Sequence, residues 1–148
     1  MVKEFVNLWD ERKDKLEEYL KTHKQGEYSS YEALFALVLS EVINQGNNTF
    51  DISDIYVIDD GGYHGTLLFI VPRDCLDPSF SDYIWSSVDY GSCSYCDTLQ
   101  SIQHDGWSSN YHDELPTESQ VKDYMTLCLH MLQRCSWLVP REESDIYE

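Results

Sequence analysis

The hydrophobic positions of the chain follow a helical spacing in three long segments. In residues 2–22, apolar side chains recur every three, four or seven positions and so share one face of an amphipathic helix. Residues 30–45 follow a serine cap and are apolar on most sides, which predicts a central helix. Residues 117–137 open with a Thr-x-x-Gln capping box and continue with helical spacing. We therefore expect three principal helices.

Strand-like composition occupies the middle of the chain. Residues 54–72 hold two runs rich in β-branched and aromatic side chains around a glycine-rich turn, which predicts a hairpin. Its second run is apolar throughout, a pattern typical of a strand covered on both faces. A third strand is expected at 83–90. A short helix at 94–102, capped by Ser92 or Ser94, should follow it.

Together these elements predict an α+β fold. A small antiparallel sheet, formed by the hairpin and the third strand, should pack against two to three helices, those near 30–45 and 117–137 above all. With 148 residues the chain is expected to form a single domain, which we place at 1–140. Residues 141–148 are acidic and are predicted to be a flexible tail.

Charge adds the most unusual property of the sequence. The net charge is −17, and residues 1–24 are balanced, so the whole excess lies in 25–148. No lysine or arginine occurs between Lys24 and Arg73, or between Arg73 and Lys122. Such a surface repels nucleic acid and attracts basic protein surfaces, although high charge also simply keeps small proteins soluble.

The acids that lie in or beside predicted loops are the candidates for partner contacts. Loops are exposed and carry binding residues more often than the elements they connect. These candidates are Asp59, Asp60, Asp77, Asp82, Asp89, Asp97, Asp105, Asp113 and Glu114.

Cysteines offer the main alternative chemistry. Cys93 and Cys96 form a C-x-x-C pair, but a tetrahedral zinc needs two further ligands, for which Cys75 and His104 are the first candidates. A thiol nucleophile at Cys93 could pair with His64 or His104 and with Asp97, although acidic neighbours raise rather than lower a thiol pKa. We therefore expect no metal, no cofactor and no catalytic residue.

The sequence also bears on location. No apolar run approaches the ~20 residues that cross a bilayer, and the first residues lack the basic-then-apolar form of a signal peptide. We expect a cytoplasmic protein whose five cysteines are reduced thiols or metal ligands rather than a disulfide framework.

One segment carries a family resemblance. Residues 89–102, Asp-Tyr-Gly-Ser-Cys-Ser-Tyr-Cys-Asp-Thr-Leu-Gln-Ser-Ile, resemble the Tyr-Gly-Ser-Cys-Ser-Gly-Cys-Asp-Thr-Leu motif of small, uncharacterised proteins of tailed bacteriophages. Residues 121–134 are similar to the closing helix of those proteins, and Tyr95 stands where the motif has glycine. The resemblance implies a phage origin, and therefore a location in the cytoplasm of an infected bacterial host.

Charge and resemblance together give three expectations. The first is a phage accessory protein that binds and inhibits a host protein with a basic surface, for instance a nucleic-acid-binding or defence enzyme, by imitating phosphate charge. The second is a cysteine-based or metal-binding enzyme that uses the Cys93/Cys96 turn, and the third is a structural or assembly part of the phage. Neither direct contact with nucleic acid nor membrane binding is expected.

Overall fold

A computed structural model describes residues 1–45, 49–62, 64–92, 97–104 and 110–140. Within these residues the helices are α1 (Val2–Thr22), α2 (Tyr31–Val38), α3 (Thr98–Gln103) and α4 (Glu118–Gln133). The strands are β1 (Tyr56–Asp59), β2 (Gly65–Pro72), β3 (Tyr83–Tyr90) and β4 (Ser136–Trp137). The expected tail at 141–148 lies outside the described residues.

The four strands form one antiparallel sheet in the order β1-β2-β3-β4. The α+β prediction and the hairpin with its third strand are confirmed. Strand β4 was not expected, because the last helix was predicted to reach residue 137. Helix α4 instead ends at Gln133, and Ser136–Trp137 pairs with Ile84 and Trp85 of β3.

Helices cover one face of the sheet. Residues opposite one another in an antiparallel pair share a face, so Phe69, Val71, Ile84 and Val88 all point inward, and all four are buried. Phe35 of α2 stacks on Phe69 with ring centroids 5.1 Å apart. The core therefore lies between this inner face and the helical layer.

Helix α2 has a boundary that the sequence pattern only partly predicted. It begins at Tyr31, after Ser30, whose hydroxyl accepts a hydrogen bond from the Ala33 amide. Beyond Val38 the chain continues as a π-helical turn, Leu39–Ile43, rather than as α-helix to residue 45. The wider turn still buries Leu39, Val42 and Ile43.

Two predictions about the middle of the chain are wrong. Strand β2 is not covered on both faces, since its inner residues Phe69 and Val71 are buried whereas Ile70 lines an open groove on the outer face. Helix α3 begins at Thr98, and Asp97, not a serine, caps it by accepting a hydrogen bond from the Gln100 amide.

Candidate functional site

The outer face of the sheet holds an apolar groove of about 510 Å³. Three strands, the β2–β3 connection and the segment after β4 supply its lining: Tyr56, Ile58, Ile70, Pro78, Ser79, Phe80, Tyr83 and Leu138. Several of these side chains are well exposed, with Tyr56 at 59% and Phe80 at 77% of their full accessible area. Contiguous exposed apolar surface of this kind marks interaction sites in soluble proteins.

The strand register explains the groove. Tyr56 lies opposite Ile70, and Ile58 lies opposite Leu68, so the outward positions of β1 and β2 form one apolar row. The β2–β3 connection then brings Phe80 over the same face, just before Tyr83 opens β3. Sequence periodicity could not reveal this groove, because in β2 the outward residues Leu68 and Ile70 are as apolar as the inward residues Leu67 and Phe69.

Three of the candidate acids lie together at one end of the groove-bearing sheet, the end of the hairpin turn. Asp59 accepts hydrogen bonds from the Tyr90 hydroxyl and from the Gly61 amide at 3.0 Å. Asp60 accepts one from the Thr66 amide at 2.6 Å, and Asp89 accepts one from the Thr66 hydroxyl at 2.9 Å. Asp59, Asp60 and Asp89 are hereafter the turn-end acids; all three are exposed.

Asp77 and Asp82 lie at the opposite end of the sheet, in the β2–β3 connection. Asp82 accepts a hydrogen bond from the Ser79 amide at 2.9 Å, and Asp77 has a positive φ of 50°. Asp82 directly precedes β3 and Asp89 is the seventh residue of that strand, so at about 3.3 Å per residue the two groups lie roughly 20 Å apart. The groove thus lies between two acidic ends.

The remaining candidate acids do not join this surface. Asp113 and Glu114 are exposed near the end of α1, where the Gln25 amide donates to the Glu114 carbonyl at 3.0 Å. Asp97 is only 5% exposed and is occupied by hydrogen bonds within the fold, which corrects its assignment to a surface patch. Asp105 lies outside the described residues.

Tyr90 fixes the electrostatics of the turn-end acids. Its hydroxyl, together with the Gly61 amide, lowers the pKa of the Asp59 carboxyl, and the same hydrogen bond raises the pKa of Tyr90 to about 12. Both donors favour the charged carboxylate. Asp59 is therefore held in its ionised form.

Replacing this donor should be visible in a titration. We expect Tyr90→Phe to raise the pKa of Asp59 towards its ordinary value, measured by NMR of the side-chain carboxyl carbon. A carboxyl whose pKa is lower in the folded than in the unfolded protein stabilises the fold at neutral pH, and this stabilisation is lost as the pH falls through the folded pKa. In Y90F this contribution of Asp59 is smaller, so the free energy of unfolding should decline less between neutral and acidic pH. Tyr83→Phe, on the same strand, is the control; an unchanged Asp59 titration in Y90F would contradict the assignment.

The cysteine and metal candidates gain no support from the geometry. Cys93 and Cys96 lie outside the described residues, Cys75 is an exposed free thiol, and His104 is exposed beside Tyr111. In the part of the chain that the structure describes, no three His, Cys, Asp or Glu side chains group as metal ligands do. The two cysteines of the last helical region, Cys128 and Cys135, are core residues, and burial raises the pKa of both thiols to about 12.

None of the helices in the described ranges combines the length and apolar character that a bilayer crossing requires. Searches of protein-family models, of curated proteins and of solved structures found nothing that matches this chain.

Proposed function

We propose that the chain is a non-enzymatic accessory protein of a tailed bacteriophage that binds and inhibits a host protein through a basic surface of that protein. The observation that carries the proposal is the apolar groove on the outer face of a sheet that has exposed acids at both of its ends. The phage origin rests on the sequence motif at 89–102, and the site of action would be the cytoplasm of the infected bacterium.

The groove and the acids contribute differently to such binding. Burial of exposed aromatic and aliphatic side chains supplies most of the affinity in protein interfaces, and these residues cluster in pockets. Charged rims mainly accelerate association and reject partners of the same sign. A partner for this face therefore needs apolar side chains for the groove and lysine or arginine residues towards both ends.

The chemistry of the partner follows from the sign of the charge. At a net charge of −17 the chain repels the phosphate backbones of nucleic acids. It complements the basic surfaces of proteins that bind those backbones, such as nucleic-acid-binding or defence enzymes. By covering the basic surface of such an enzyme, the acidic ends would compete with its nucleic-acid substrate.

The groove can be tested by affinity capture from bacterial lysate followed by purification and calorimetry of the retained partner. We expect a basic partner whose affinity falls as salt rises, and a loss of about tenfold or more on Phe80→Ser. Leu76→Ser is the matched control, because Leu76 is 93% exposed but does not line the groove. Retention of no basic partner, or equal effects of the two substitutions, would count against the proposal.

The position of the charge can be separated from its amount. Asp60→Asn with Asp77→Asn removes one carboxylate from each end of the groove, and asparagine keeps the acceptor that the Thr66 amide uses. Asp113→Asn with Glu114→Gln removes the same charge from the helical side. The first pair should weaken binding and flatten its salt dependence, whereas the second should change neither; equal effects would indicate a nonspecific attraction.

A further inference from the structure

The open edge of β1 has an unusual composition for an edge strand. All four residues of β1 are exposed, and within the described ranges the strand pairs with β2 alone. Tyr56, Val57 and Ile58 are large, apolar and between 40% and 59% exposed. Natural edges are protected by shortness, charges, proline or a bulge; β1 is short and ends in Asp59, but its other three residues carry no charge, proline or bulge.

The hydrogen-bond alternation identifies the backbone groups on this edge. The Asp60 amide donates to the Thr66 carbonyl at 3.2 Å, so these two residues form a hydrogen-bonded pair next to β1. In an antiparallel ladder such pairs alternate, so Ile58 and Tyr56 also face β2. Val57 and Asp59 therefore direct their amide and carbonyl groups away from β2, towards the open edge.

Both faces of β1 are accessible to an added strand. Val57 points inward, opposite Phe69, yet it is 40% exposed whereas Phe69 is buried. The helical layer therefore stops at β2. On the outer face, alternate side chains of an added strand would lie beside Tyr56 and Ile58, at the rim of the groove.

Charge decides which strand could be added. Acids flank β1 at both ends, with Asp54 in the 3-10 turn that precedes the strand and Asp59 and Asp60 at its end. An antiparallel second copy would bring the acids of each copy near those of the other, and like charges repel. The same acids instead attract lysine or arginine at both ends of a partner strand.

We propose that β1 receives an extended segment of the partner, with alternating apolar residues flanked by lysine or arginine, as an additional strand of the sheet. This rests on the proposed binding function and specifies how the partner is held. Backbone bonds to Val57 and Asp59 supply the pairing, and the groove receives the outward side chains of the segment.

The test uses short synthetic peptides of alternating valine and threonine, with paired lysines at both ends or paired glutamates instead. Calorimetry should show that the lysine peptide binds at least about tenfold more tightly. Amide exchange by NMR should show new protection at Val57 and Asp59, with little change at Tyr56 and Ile58. Equal binding of the two peptides, no binding, or binding without this protection would overturn the inference.

Substitution of Val57 provides a second measurement. Val57→Pro removes an amide that β2 does not use, and proline is tolerated at such edge positions. It should weaken the lysine peptide about tenfold, whereas Val57→Thr, which keeps the amide and a β-branched side chain, should not. A dimer in sedimentation that V57P abolishes would overturn the inference in favour of a second copy.

The two proposals can fail separately. Full-length protein that captures a basic partner equally well with and without V57P refutes strand addition but leaves the binding function intact. Protein that captures no basic partner refutes the function itself, whatever the peptides do.

Discussion

Phe35→Ala should destabilise the protein by about 3–5 kcal/mol, the range typical of truncating a fully buried phenylalanine. Phe35 is 0% exposed and stacks on Phe69, which is also 0% exposed, so one aromatic pair joins α2 to the inner face of the sheet. The alanine leaves a cavity between α2 and β2, and these two regular elements cannot readily move together to close it.

The loss can be measured by urea unfolding followed through tryptophan fluorescence, with the midpoint and slope compared with the unaltered chain. Phe80→Ala is the matched control, since the same side chain is removed from a position that is 77% exposed. The control should change the free energy of unfolding by about 0.5 kcal/mol or less. A similar loss in both variants would mean that the helical layer does not pack on the sheet as described.

Asp97→Ala should cost about 2–4 kcal/mol, because the carboxylate serves three donors in a buried place. It accepts hydrogen bonds from the Tyr31 hydroxyl at 2.7 Å, from the Gly91 amide at 3.0 Å and from the Gln100 amide at 3.0 Å. One side chain thus caps α3, anchors the end of β3 and ties both to α2. Alanine leaves buried donors without an acceptor.

Two comparisons separate this role from charge alone. Asp89→Ala removes an exposed carboxylate and should change stability by about 0.5 kcal/mol or less. Asp97→Asn keeps the oxygen that accepts from the Tyr31 hydroxyl and the Gln100 amide but places an NH₂ group against the Gly91 amide, so its loss should fall between those of D89A and D97A. Equal stability of D97A and D89A in urea unfolding would contradict the assignment of Asp97 as a structural residue.

Structural roles that depend on residues close in the sequence were predictable. The role of Asp97 was not, because it depends on residues that are distant in the sequence. The capping box of Thr117 and Gln120 was identified from spacing alone, because both partners lie within one helical turn. Aspartate and serine cap helices about equally well, so spacing could not choose between Asp97 and its neighbouring serines. The choice depends on Tyr31, which lies far away in the sequence.

The sheet illustrates the same limit in its faces and edges. An apolar run such as 66–72 predicts a buried strand. Whether the outward residue Ile70 is covered depends on whether a second layer of helices packs on the outer face of the sheet. Two residues, Ser136 and Trp137, are too few to show an alternating pattern, so β4 had no sequence signal. The groove and the separation of the acids into two ends arise from register, which the sequence did not specify.

The strand order also has a consequence for the sequence of folding events. Strands β1, β2 and β3 are consecutive along the chain, whereas β4 joins β3 only after α3 and α4 have been traversed. Closing this longer connection costs about 1 kcal/mol more chain entropy than closing the β2–β3 connection. The three-stranded meander of β1, β2 and β3 should therefore form first and β4 should pair last. During folding, the β1 edge would then be exposed before β4 pairs with β3 at the other edge of the sheet.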